Sequence, residues 1–323
     1  MKSDMSFEFH PYTKAKIDEL TNKRAGEIRV GEKVVAGTGN IESKYVILGI
    51  PESAGPKANL GRSGAENGFR SFLTRFLNMQ SNQFFSGENT CIAGEIIQQS
   101  GILKKQFSIE ELDSLLIDVL EDILLPHQKL IVIGGGHNNA YPIIAHFAKN
   151  KRINIVNLDP HADCRETGTR HSGNPFSYGI KFGHIEKYHV LGLHKAYNNQ
   201  FILDFLKEHH CHFSFFDDYL LDRSLFLKHI TELSDSIDLN FKLGIELDMD
   251  SIAFMPASAF TPSGITLDEA RFYIKTFASK PQTIYLHLPE AAPTNDQEEI
   301  ITGKALAYLV YDFITTNNQI EQP

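Results

Sequence analysis

Apolar residues fall along this chain in short, dense runs that break at a glycine, a proline or a charged residue. The first run is 44–50, and others occupy 129–133, 153–158, 187–193, 211–216, 242–247 and 283–288. Runs this short, rich in β-branched residues and without strict alternation, predict strands buried on both faces. Between them apolar positions recur at helical spacing, which predicts helices over 69–77, 109–124, 140–149, 199–209, 223–234, 267–279 and 303–315. Strand and helix in alternation predict a parallel sheet with helices on both faces, a three-layer αβα fold of the α/β class. Residues 1–43 carry no comparable pattern and read as an irregular N-terminal extension packed on a single domain formed by 44–323. No repeat, low-complexity tract or linker divides that domain.

Composition narrows the function classes. The 323 residues are 42% hydrophobic, enough for one large core. A formal charge of −9 with no basic block argues against a nucleic acid or an anionic membrane as partner. No apolar run approaches the roughly 18 residues of a membrane span. The opening segment, residues 1–8, lacks the apolar core of a signal peptide, so the cytoplasm is the expected compartment. Three cysteines, Cys91, Cys164 and Cys211, with no Cys-x-x-Cys pair, fit a reducing compartment without a disulfide framework. Cys164 directly follows Asp163, and alternation turns it away from its neighbours' face, toward packing.

Three of the predicted strands end in residues that bind metals. The run 153–158 leads into Asp159-Pro-His161-Ala-Asp163, and in an extended backbone such alternate side chains share a face and can converge on one cation. The run 242–247 leads into Asp248-Met-Asp250, and 129–133 into three glycines followed by His137. Taken singly, such motifs are equally well capping clusters or solvated strand ends. Together at the carboxyl ends of parallel strands, where the loops of an open α/β sheet gather, they point to a shared site. Four aspartates would balance two divalent cations and leave a solvent molecule between them free to ionise to hydroxide. An oxygen-rich set with two imidazoles and no thiolate suits manganese better than structural zinc. The chemistry implied is metal-assisted hydrolysis.

The segments Gly134-Gly-Gly-His-Asn-Asn-Ala140, Asp159-Pro-His-Ala-Asp163 and Glu246-Leu-Asp-Met-Asp250 resemble, in order and spacing, the three metal-binding signatures of the arginase or ureohydrolase family, with all six ligand positions filled. The resemblance implies a parallel sheet of about eight strands between helical layers, two Mn2+ ions, and hydrolysis at an amidino or guanidino carbon. It also implies that His137 and Asp163 bind one ion, His161 and Asp250 the other, with Asp159 and Asp248 bridging. The stretch Leu286-His-Leu-Pro-Glu-Ala-Ala-Pro293 is similar to the family segment whose glutamate faces the substrate's cationic nitrogens, which makes Glu290 a catalytic candidate. The stretch Arg170-His-Ser-Gly-Asn-Pro-Phe176 resembles the loop carrying a proton-shuttling histidine, which makes His171 another, although it lies one residue further from Pro175 than that pattern has it. A homo-oligomer is a further implication of the family. His194 and His287, in apolar strand contexts, read as core or supporting residues rather than ligands.

Departures from the arginase pattern bear on substrate. Gly136 stands where arginases and agmatinases usually carry aspartate; the Gly-Gly-Gly-His form, Asp163-Cys-Arg165 and Ser172-Gly-Asn-Pro-Phe176 resemble the formimidoylglutamase subgroup. The implied reaction is N-formimidoyl-L-glutamate to L-glutamate and formamide, a step of histidine degradation. A dicarboxylate needs cationic or donating groups away from the metals. Arg165, Arg170 and Asn174 on the loop after the second signature are candidates, as are Lys57 and Arg62 on the glycine-rich loop 51–64. Arg165 is the first choice, because its fork matches a carboxylate in two bonds. The competing reading is a guanidino hydrolase acting on arginine, agmatine or a guanidino acid and releasing urea. Agmatine, a cation, fits these arginines poorly. A non-catalytic member of the family would be expected to show a broken ligand set.

Overall fold

A computed structural model describes residues 6–99 and 108–320. In chain order its elements are β1 (Phe7–Pro11), α1 (Lys14–Leu20), α2 (Val30–Lys33), β2 (Val35–Ala36), β3 (Tyr45–Gly49), α3 (Ala54–Ala58), α4 (Gly68–Phe76), β4 (Thr90–Gln98), α5 (Ile109–Ile123), β5 (Lys129–Ile133), α6 (Ala140–Phe147) and β6 (Ile153–Leu158). They continue with α7 (Pro175–Lys181), β7 (Ile185–Leu193), α8 (Gln200–Glu208), β8 (His212–Phe215), α9 (Ser224–Ser236), β9 (Leu243–Leu247), α10 (Leu267–Ala278), β10 (Thr283–Leu288) and α11 (Asp296–Gln319).

The sheet runs β1-β4-β3-β5-β10-β9-β6-β7-β8, with β2 paired to β4. Every pairing from β4 to β8 is parallel, which makes the expected eight-stranded parallel sheet; β1 adds an antiparallel edge and β2 a short parallel one. Alternation along each strand sorts side chains into two cores. Tyr45, Ile47, Ile131, Ile133, Leu286 and Leu288 face one layer, packed by Phe72 of α4, Ile230 of α9, Ile274 of α10 and Leu309 of α11. Val46, Leu48, Leu130, Val132 and Tyr285 face the other, packed by Leu116 of α5, Ile143 of α6, Phe176 of α7 and Leu206 of α8. Burial on both faces is why these strands read as continuous apolar runs. No helix among the described residues is long and apolar enough to cross a membrane.

Three features correct the sequence reading. Within 1–43 the described residues are not irregular: β1 pairs with β4 from Phe7↔Gln98 to Pro11↔Gly94, and α1, α2 and β2 follow. Strand β4 itself escaped notice because Gly94 interrupts its apolar pattern; that glycine has φ +152°, and a Cβ there would lie 2.2 Å from the His10 carbonyl oxygen of β1. Helix α11 begins seven residues before the expected 303, since Asn295 caps it and Asp296, Glu298 and Glu299 form a polar first turn without apolar periodicity.

The order of strands places the site. From β5 the chain skips two positions to β6, proceeds outward to β7 and β8, then returns to lay β9 and β10 into the gap. The four central strands, β5, β10, β9 and β6, therefore come from distant parts of the sequence. Ile47, fully buried on β3, tests the core: Ile47→Ala should lower unfolding free energy by about 2–5 kcal/mol in urea denaturation while leaving the sheet intact.

Candidate metal centre

A cavity of about 330 Å3 opens beside the loops leaving these strands, and Asp163, Asp248, Asp250 and Glu290 line it. Local turns, rather than strand alternation, aim the side chains. Strand β6 ends at Leu158 and β9 at Leu247, before the first aspartate of each motif. Asp159 Oδ1 then accepts the His161 N–H at 2.7 Å, and Asp248 Oδ1 accepts the Asp250 N–H at 2.7 Å. Each is an Asx turn, which folds residue i+2 back beside residue i and explains the two-residue spacing physically. Asp163 has φ +47°, a conformation costly for a residue with a Cβ and often found where a site demands it.

All six residues singled out from the sequence come together. His137 Nδ1 lies 3.0 Å from Asp163 Oδ2, 3.1 Å from Asp248 Oδ2 and 3.2 Å from Asp159 Oδ2. One ligand atom from each of these four residues lies within 4.8 Å of the others. Beside this group, His161 Nδ1 lies 3.5 Å from Asp159 Oδ1 and 4.0 Å from Asp250 Oδ2. Asp159 thus faces two adjoining clusters with one oxygen each. The donor set, its spacing and its shared carboxylate fit a pair of divalent cations.

Behind the centre stands a second buried group. His137 Nε2 is 3.5 Å from Glu246 Oε2; Glu246 also accepts from Tyr285 Oη at 2.7 Å, and His287 Nδ1 lies 2.7 Å from Oε2. One imidazole nitrogen therefore faces the aspartates and the other a carboxylate, an arrangement that helps to orient a metal-binding histidine. His161 stacks on Tyr197 with ring centroids 5.4 Å apart, and Asn198 holds its loop by accepting the Ala162 N–H at 2.9 Å.

Electrostatics describe a site crowded with negative charge. Burial, and then the neighbouring Asp159, push Asp163 and Asp248 upward; burial and Asp248 do the same to Asp250. Burial and Asp250 push Glu290 up to about 8. For Asp159 burial acts in the same direction, but hydrogen bonds from His137 and His161 outweigh it and hold the carboxyl low. His161 is pushed up to about 10, since burial, which lowers it, is exceeded by its bond to Asp159 and the nearby aspartates. A divalent cation between these groups would relieve the same repulsion.

The remaining candidates divide. Glu290 lines the cavity at φ +67°; Oε1 accepts the His137 N–H at 2.7 Å and Oε2 is buried without a partner. Arg165 lines the cavity and is exposed. Arg62 also lines it, but its Nη2 is engaged by the Ala292 carbonyl at 2.7 Å and by Glu298 at 2.8 Å. Arg170 and Asn174 are corrected. Arg170 is 2% exposed, bonded to Asp113 at 2.8 Å, to Asn174 Oδ1 at 2.8 Å and to the Asn138 carbonyl at 2.8 Å, and lies over the rings of Tyr141 and Tyr178. Both residues brace the loop, Asn174 by donating its amide to the Thr169 carbonyl at 3.0 Å, and neither lines the cavity. His171 Nδ1 accepts the Gly173 N–H at 3.0 Å, and it is the neighbouring Ser172, not His171, that lines the cavity. Lys57 is exposed and likewise outside the cavity lining.

Sequence reasoning missed Glu52. Buried three residues beyond the end of β3, its Oε1 accepts from Gly136 N at 2.9 Å and Asn139 Nδ2 at 2.9 Å, fastening the turn that carries His137. Nothing at Glu52 but its place after a strand end could have flagged it. Gly136 is required here, since a Cβ would lie 2.3 Å from Pro56 Cδ and 2.4 Å from Asn138 Oδ1.

The model of the arginase family matches residues 43–315. A formimidoylglutamase of Geobacillus thermodenitrificans is 26% identical over 309 residues, covering 91% of this chain and 92% of that protein. Among solved structures, the formimidoylglutamase of Bacillus subtilis superposes with a TM-score of 0.77 at 19% identity, covering 93% of this chain and 95% of that one. The Mn2+-bound formiminoglutamase of Trypanosoma cruzi gives 0.72 at 21%, covering 92% and 100%.

Two outcomes follow from this geometry. Glu246→Gln should weaken divalent-metal affinity about 10- to 100-fold, measured by equilibrium dialysis, with little change in unfolding free energy. Asp113→Ala should cost about 3–5 kcal/mol in urea denaturation, because it leaves Arg170 buried and unpaired.

Proposed function

This chain belongs to the arginase family, and we propose that it is a binuclear manganese hydrolase of linear amidines, converting N-formimidoyl-L-glutamate and water to L-glutamate and formamide. The observation that carries the reading is the layout of the cavity. Its buried wall is carboxylate, from Asp163, Asp248, Asp250 and Glu290, and its exposed wall carries Arg165. That polarity suits a molecule with a cationic amidine at one end and carboxylates at the other. The relatives named formimidoylglutamase support this substrate over a guanidino compound.

Two Mn2+ ions held by His137, Asp159, His161, Asp163, Asp248 and Asp250 would supply Lewis acidity and a hydroxide near neutral pH. The chain's own residues set the geometry of attack. With Oε1 tied to the His137 N–H, Glu290 has Oε2 left to accept from the amidinium, and the incoming cation favours its carboxylate form. Arg165 anchors a substrate carboxylate at the mouth. Water adds to the amidine carbon, the bond from that carbon to the glutamate nitrogen breaks, and the nitrogen takes up a proton as it leaves. The free thiols suit a reducing compartment, so we place the enzyme in the cytoplasm; the family resemblance favours a homo-oligomer.

The manganese-loaded protein should release formamide and glutamate from N-formimidoyl-L-glutamate and no urea from arginine, agmatine or guanidinobutyrate; urea from any of these would overturn the substrate assignment. Asp248→Ala should abolish turnover and bound manganese together, read by metal analysis of the dialysed protein. Arg165→Lys should raise KM for the dicarboxylate by about tenfold with a smaller effect on kcat, because a point charge cannot replace the fork.

A further inference from the structure

A second cavity, of about 560 Å3, lies between the α1–α2 connection and helices α4 and α11, and shares no residue with the metal crevice. Arg24, Arg29, Arg75 and Lys304 line it, and no acidic residue does. In a chain of formal charge −9 this is a local inversion of sign. Among the described residues, the one ion pair formed by the four is that of Arg29 with Glu27. Arg29 is only 9% exposed; it donates Nη1 to the Asn78 carbonyl at 3.0 Å, yet its Nε is buried without a partner. Arg75 Nε is buried without a partner as well.

The wall is a braced structure. Asn78 Nδ2 donates to the carbonyls of Leu20 at 2.8 Å and Thr74 at 3.0 Å, while its Oδ1 accepts the Asn22 N–H at 2.6 Å. One side chain thus ties α4 to the segment bearing Arg24 and Arg29. Like charges gathered in a concave wall focus a positive field that an entering anion would neutralise. Guanidinium groups match tetrahedral oxyanions, and cations arriving from three elements suit a dianion whose oxygens point in several directions better than a planar carboxylate. We propose that this cavity binds a small phosphate-bearing anion, separate from the hydrolytic centre.

The test is calorimetric titration of the manganese-loaded protein with inorganic phosphate, glucose 6-phosphate and citrate, repeated on the double variant R24A/K304A. Both residues are exposed, so the variant should fold and hydrolyse its substrate at the normal rate. Saturable binding of inorganic phosphate or the phosphomonoester is expected with Kd of about 1 mM or tighter. The variant should weaken it by about tenfold or more. The two phosphates distinguish a free ion from a phosphorylated metabolite as the occupant. Absence of saturable heat with both, equal affinity in the variant, or citrate binding more tightly than either phosphate would overturn the proposal.

Discussion

Asp159, Asp163, Asp248, Asp250 and Glu290 are held within one small buried volume, where each carboxylate makes its neighbours harder to ionise. Such crowding opposes folding, and it persists because a large apolar frame outweighs it. Two apolar layers clamp the sheet on its two faces, and the crowded carboxylates gather beside the carboxyl ends of its central strands. The positive φ values at Asp163 and Glu290 belong to the same bargain between frame and site.

Support for the crowded residues comes in rings. Asx turns fix Asp159 and Asp248, Glu246 stands behind His137, and Glu52 ties the glycine turn from the opposite side. Arg170, far from touching a ligand, closes the outermost ring by joining Asp113 of α5 to the Asn138 carbonyl and Asn174. A loop that must carry three candidate ligands is thereby fastened through an ion pair to a helix outside the crevice.

The parallel sheet and the six clustered residues were legible in the sequence because their signals are local: short apolar runs, and acids or imidazoles immediately after them. What the sequence left unread depends on contacts between distant segments. Arg165 and Arg170 sit five residues apart on one loop and look alike, yet one faces the cavity and the other is buried on Asp113, a partner 57 positions away. The contact of His171 Nδ1 with the Gly173 N–H is likewise set by the fold of that loop and not by any sequence signal. Strand β1 pairs across more than eighty residues with a β4 whose own pattern a glycine breaks. The spacing of the aspartates pointed to residues that do cluster, but turns, in place of strand alternation, bring them together.

The return of β9 and β10 into the gap between β5 and β6 also governs when the centre can come into existence. With strands about 4.8 Å apart, β5 and β6 stand roughly 14 Å from one another in the finished sheet, too far to pair without the late strands between them. During synthesis His137 and the 159–163 loop therefore emerge long before Asp248, Asp250 and Glu290 can join them, with the sheet split down its middle. Closure waits on pairings between distant segments, Leu130 with Tyr285 and Asn154 with Leu243, which slows folding and leaves two apolar strand edges open meanwhile. The nascent chain thus presents four of the six candidate ligands before Asp248 and Asp250 exist to complete the set, so the topology that builds the centre also ties its completion to the arrival of the last strands.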